Sequence, residues 1–225
     1  MIKENLQEIY QQMAAAAIRS GRRPEDVKLV AVSKRKPIAA IKCALEAGQH
    51  SFGENYLQDA IEKITEIPQA RWHFIGRIQS NKTKLIAQHF NVVETVDRLK
   101  IAEALEKHLA TLGKSLDAYV QVNIGDEDQK AGVSVEELEG LVRVFNSFSH
   151  LKLIGLMGLP PFNEEPEATR KHFRQLRRLA QSLEDKKIVD HPLGLSMGMS
   201  ADFEVAIEEG ATLVRVGTAI FGDRE

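Results

Sequence analysis

Leu29-Val30-Ala31-Val32 is an unbroken apolar run of strand-forming residues that delivers Ser33 and Lys34 at its carboxyl end. A strand with one wet face alternates apolar and polar residues. One without alternation is covered on both faces, as in a parallel sheet flanked by helices. Parallel neighbours need a long crossover, so a helix should follow. It does: Pro37 suits a first helical turn, Ile38, Ile41 and Leu45 share a face, and Gly48 ends the unit.

The same unit recurs along the chain. Ser51 to Gly53 reads as a second strand, ahead of a helix with Leu57, Ile61 and Ile64 in one stripe. Arg71 to Ile75 and a helix over about residues 82–89 form the third pair. Val92 to Thr95 is the fourth strand, and Asp97 is placed to cap a helix bearing Ile101, Leu105 and Leu109, with Gly113 beyond it. Leu116 to Ile124 is the fifth, followed by a polar loop and a capping box of Ser134 and Glu137 before Leu138, Leu141, Val142 and Phe145. Leu151 to Leu156 leads through Pro160-Pro161 to a helix over about 167–184, with Phe173, Leu176 and Leu179 inward. Leu193 to Leu195, with a short helix after Ser200, and Ala211 to Val216 complete the series.

Eight strands alternating with helices predict an α/β chain closed as a (β/α)₈ TIM barrel. The expected domain is single, residues 1–225, with an extra N-terminal docking helix over about residues 2–20, where Ile2, Leu6, Ile9 and Met13 keep helical spacing. An open doubly wound sheet ranks second, since no Gly-x-Gly-x-x-Gly follows an early strand.

Composition narrows the partners. A net charge of -2 with 28% charged residues of both signs gives no footprint for nucleic acid or an anionic membrane. No stretch approaches the roughly 20 apolar residues of a membrane span, and the N-terminal segment lacks a signal-peptide core. Cys43 is the single cysteine, which excludes an internal disulfide and is expected to be a small core residue; no Cys/His spacing marks a metal site. A cytoplasmic monomer is the expectation.

In such barrels the chemistry lies at the carboxyl ends of the strands. Those ends deliver Lys34 from strand one, Asn55 from strand two, residues 196–200 (Ser-Met-Gly-Met-Ser) from strand seven, and Arg215, Gly217 and Thr218 from strand eight. The loops after strands seven and eight commonly hold a phosphate; Ser200 at a helix start, Gly217 and Thr218 fit that use, while Asp202 in the same helical turn weighs against it. A lysine short of water and near cationic Arg215 becomes a usable amine nucleophile toward an aldehyde. Lysine and phosphate cup together suit a phosphorylated aldehyde, of which pyridoxal 5′-phosphate (PLP) is the common biological one. Arg215, permanently charged in an apolar strand, needs either a structural carboxylate or a ligand; a pyridine nitrogen is one such ligand. Asn55 could meet a ring hydroxyl or simply end a turn. His73 reads as a satisfied wall histidine, and no acid/base pair, catalytic residue or metal set stands out.

Leu29 to Pro37 (LVAVSKRKP), Phe52 to Tyr56 (FGENY), His73 to Lys82 (HFIGRIQSNK), Gly155 to Gly158 (GLMG), Leu195 to Asp202 (LSMGMSAD) and Val214 to Gly222 (VRVGTAIFG) together resemble the pyridoxal phosphate homeostasis protein family. The resemblance spans the chain; Arg77 and Ile78 depart slightly from its pattern. It implies a barrel like the amino-terminal domain of alanine racemase, with PLP as a Schiff base on Lys34. It also implies phosphate contacts from Ser200, Gly217 and Thr218, backbone help near Met199, and a ring-nitrogen contact from Arg215. Racemases add an acid/base tyrosine from a second domain that this chain lacks, and neither Tyr56 nor Tyr119 has a reason to replace it. The implied role is non-enzymatic: buffering or carriage of PLP, with PLP-dependent apoenzymes as acceptors and effects on amino-acid and keto-acid pools. A racemase or lyase with a concealed second acid/base group is the alternative, and noncovalent binding of a phosphorylated metabolite a third.

Overall fold

The structure, a computed structural model, describes residues 1–125, 131–161 and 165–222. Eight parallel strands close on themselves in sequence order: β1 (Lys28–Val32), β2 (Ser51–Glu54), β3 (Arg71–Phe74), β4 (Val92–Val96), β5 (Leu116–Val122), β6 (Leu151–Gly158), β7 (Gly194–Ser196) and β8 (Leu213–Val216). The seam pairs β1 with β8, setting Lys28, Leu29, Val30 and Ala31 beside Leu213, Val214, Arg215 and Val216. Closure excludes the open sheet, and it leaves no strand edge exposed.

The apolar run that opened the argument is divided by this closure. Leu29 and Ala31 face the helices, whereas Val30 joins Val92, Tyr119, Met157 and Leu213 inside the barrel. Around the strands run α1 (Ile2–Arg19), α2 (Ile38–Glu46), α3 (Leu57–Glu66), α4 (Thr83–His89), α5 (Leu99–Leu112), α6 (Val135–Phe145), α7 (Pro166–Asp185), α8 (Phe203–Glu208) and α9 (Thr218–Phe221).

The last crossover helix is only four residues long, too short to cover the β8–β1 seam. Helix α1 covers it instead, packing against α2, α8 and α9. Its buried face is Leu6, Ile9, Met13, Ala16 and Ala17. Burying the three large side chains contributes roughly 5–8 kcal/mol before the entropic cost of ordering is set against it. Asn5 Nδ2 donates to Ile220 O at 2.9 Å, and Arg22 donates to Ile207 O and Ala211 O, tying both ends of α1 to the last two helices. The docking helix is thus the eighth wall of the outer layer.

Three local expectations change. Cys43 is exposed: α2 buries Ile41 and Ala44, and two residues beyond Ile41 is about 200° around the helix. The residue capping α5 is Arg98, in extended backbone, and the Asp97 carboxylate is held by the Arg98 guanidinium. At α6, Ser134 Oγ accepts from the Glu137 N–H, but Glu137 returns to the Ser134 hydroxyl rather than its amide, so the box is half closed. Strand bounds differ by up to two residues; the polar loop expected after β5 falls largely at 126–130, outside the described residues.

Candidate functional site

At the carboxyl end of the barrel a cavity of about 340 Å³ opens, lined by Lys34, Asn55, Met199, Ser200, Arg215, Gly217 and Thr218. All seven residues singled out from sequence therefore border one space. Val32, Ile75, Met157 and Leu159 supply apolar walls, and Lys36, Ala201 and Gly222 also border the space; of these, sequence reasoning sends only Met157, at the end of strand six, to this face.

The lysine is set by the residues behind it. Ser33, fully buried, donates its hydroxyl to Glu54 Oε1 at 2.7 Å, and Lys63 of α3 donates to Ser33 O (3.0 Å), Glu54 Oε1 (2.9 Å) and Asp59 Oδ2 (2.7 Å). Burial pushes the Glu54 carboxyl up, against the pull of Lys63. This buried knot pins the end of β1 one residue before Lys34. Arg35, one residue after, has φ +59°, with its guanidinium 5.4 Å from the centre of the Tyr56 ring. A non-glycine residue in that conformation costs about 1 kcal/mol or more, so the turn carrying Lys34 is enforced by its surroundings.

Asn55 follows β2, and its Oδ1 is buried with no hydrogen-bond partner. Its backbone is fixed by close approach: a Cβ on Gly76 would lie 2.3 Å from Asn55 O. An orphaned buried acceptor costs about 1–3 kcal/mol, which a ligand donor at the cavity wall would recover. Opposite, the β7–α8 turn folds around Gly198, at φ +92°. Met199 N–H is committed to Asp202 Oδ1 at 2.7 Å, and Gly217 N–H donates to Ser200 Oγ at 3.3 Å. The amides of Ser200, Ala201 and Thr218 donate to no described protein acceptor. Asp202 does not border the cavity. It is buried, which raises its carboxyl, and is turned into its own loop, so the repulsion expected from the sequence is directed away from the space.

Arg215 has the structural carboxylate weighed for it, and it also borders the cavity. Its guanidinium borders the cavity, while Nη1 donates to Ser196 Oγ, Nη2 to Gly158 O at 3.3 Å, and Glu94 Oε2 stands 3.6 Å away. Glu94 was visible in the sequence as a residue of strand four but had no role. The signal was available: a buried arginine requires a carboxylate, and β4 offers one in an apolar strand. Glu94 also accepts from Ser196 Oγ at 2.6 Å and His73 Nδ1 at 2.7 Å, which makes His73 a satisfied wall residue. Burial alone would raise the Glu94 carboxyl; the bonds from His73 and Ser196, with the Arg215 charge, hold it below its ordinary 4.5. A carboxyl lowered by folding contributes stability above its unfolded value, lost as pH falls through the folded one. Denaturant melts should therefore show stability declining below about pH 4.5, more shallowly in Glu94→Gln.

The titratable side chains bordering the cavity are Lys34, Lys36 and Arg215, all cationic, among the described residues. Tyr56 is exposed under Arg35, and Tyr119 lies in the barrel interior, where burial raises its hydroxyl; neither lines this space.

Residues 3–225 match the family described as alanine racemase, N-terminal domain. The pyridoxal phosphate homeostasis protein of Pasteurella multocida is 43% identical, covering 100% of this chain and 98% of that one. This chain belongs to the pyridoxal phosphate homeostasis protein family. The Escherichia coli K12 member of that family is 42% identical over 100% of this chain and 97% of its own. PipY of Synechococcus elongatus, solved with PLP bound, is 36% identical with a TM-score of 0.85, covering 99% of this chain and all of its own. The Pasteurella and Escherichia relatives are both named as homeostasis proteins. Alanine racemase of Corynebacterium glutamicum, 18% identical with a TM-score of 0.71 over 97% of this chain and 62% of its own, shares the fold alone. Among the described residues no helix is long and apolar enough to cross a membrane.

Proposed function

We propose that this family member binds PLP in the carboxyl-end cavity, as a Schiff base on Lys34, and serves PLP homeostasis by buffering or carrying the cofactor to PLP-dependent apoenzymes. The observation that carries this is the lining itself: three cations, free backbone amides and one orphaned amide oxygen, around apolar walls. That donor set fits a phosphorylated aldehyde. The family membership and the PLP-bound PipY support the same ligand.

In this reading the phosphate lies against Ser200, Thr218 and Gly217, and the free amides at 200, 201 and 218 replace the amide of Met199, which is spent on Asp202. Asn55 Oδ1 accepts from the ring hydroxyl. Arg215, always protonated, donates to the ring nitrogen and keeps that nitrogen unprotonated. When bound, the group supplies an aldehyde carbon and an electron-withdrawing ring. The chain holds that ring in its weaker withdrawing state, and among the described residues the titratable side chains bordering the cavity are only Lys34, Lys36 and Arg215, which suits storage better than turnover.

The test is an absorption titration of the purified protein with PLP, followed by borohydride reduction and peptide mapping. A visible band that reduction removes, with the added mass on Lys34, is the expected result. A colourless protein that phosphate protects against heat would instead establish noncovalent phosphate binding.

A further inference from the structure

We infer that Glu94 is a positioning residue for the cofactor ring, acting from inside the barrel through Arg215; this rests on the cavity being a PLP site. Glu94 does not border the cavity, yet it is the only carboxylate within 4 Å of the Arg215 guanidinium among the described residues. The chain of bonds has a fixed direction. Ser196 has one hydroxyl proton and gives it to Glu94, so its lone pairs face Arg215, which donates to them. Arg215, Ser196 and Glu94 come from β8, β7 and β4, and His73 of β3 holds the other carboxylate oxygen. Two guanidinium hydrogens are thereby spent, on Ser196 and Gly158, and the planar fork leaves others for the cavity in one set orientation.

The carboxylate sets charge as well as aim. Arginine and glutamate together are neutral. The other titratable groups near the pair are His73 from β3, Tyr119 from β5 and Asp202 before α8. Removing the Glu94 charge leaves a net cation in the cavity that Lys34 also borders. An added positive charge disfavours protonation of the lysine-bound nitrogen.

The experiment is a pH titration of the visible band in PLP-loaded wild type, Glu94→Gln and Glu94→Asp, with thermal melts as the measure of folding. The expected midpoint moves down by about one pH unit in Glu94→Gln and returns toward wild type in Glu94→Asp, which keeps the charge. A purely structural role lowers the melting temperature without moving the midpoint. A folded Glu94→Gln with the wild-type midpoint therefore overturns the inference. Should Glu94→Gln not fold, Ser196→Ala decides. Cutting the bridge should move the midpoint the same way by less, and an unmoved midpoint overturns the role. A wild-type protein with no visible band refutes the PLP reading instead, so the two failures are distinct.

Discussion

Lys34→Ala abolishes borohydride-stable incorporation of PLP, with covalent labelling falling at least about a hundredfold because, among the described residues, the other nearby lysines are committed to other partners. Lys36 borders the same cavity, but its ammonium donates to Phe221 O at 3.2 Å and Gly222 O at 3.1 Å. Lys63 is buried in the knot behind β1 and committed to three oxygens. The variant should fold normally, since Lys34 is half-buried at the rim and contributes no core packing. The proposed phosphate cup is untouched by the change, so inorganic phosphate should still raise the melting temperature slightly. Mass spectrometry after reduction reads the first effect and calorimetry the second. Full labelling of Lys34→Ala on another lysine would remove Lys34 from its proposed role.

Gly198→Val should cost roughly 2–5 kcal/mol and lower the melting temperature by about 5–15 °C, with PLP binding lost in parallel. Two penalties coincide there. The φ of +92° is unfavourable for any branched side chain, and a Cβ would stand 2.5 Å from Ala206 Cβ and 3.0 Å from Phe203 Cα. The backbone cannot move away freely, because Gly198 O accepts from Arg215 N at 3.0 Å. Relief must come from shifting the turn that carries Ser200 and Ala201, and that turn is part of the proposed phosphate cup. A thermal melt unchanged within a degree would show that the turn relaxes at no cost.

The barrel was legible because each strand and helix carries its own period, and closure follows from counting eight units. The rim residues were legible because topology alone sends strand ends to one face. What escaped depends on neighbours distant in sequence. Glu94 sits among Val92, Val93 and Val96, where apolar residues on both faces hide which side its carboxylate takes. Its role appears only when β3, β4, β7 and β8 are brought around one interior. Lys36 reads as a turn residue until the cavity gives it something to face. Cys43 and Asp97 failed locally: one residue of rotation or offset decides between core and solvent, or between cap and bystander.

The seam between β8 and β1, covered by α1, joins segments nearly two hundred residues apart in the chain. During synthesis the opening helix and strand emerge long before the segment that completes them, and such long-range closure is slow. Gly217 and Thr218, which border the cavity, lie on that later segment. A nascent chain can thus present Lys34 early but has no complete pocket around it until the barrel shuts. On the proposed reading, cofactor capture would report that the whole circle has been closed, and an unclosed chain would have no finished site with which to hold it.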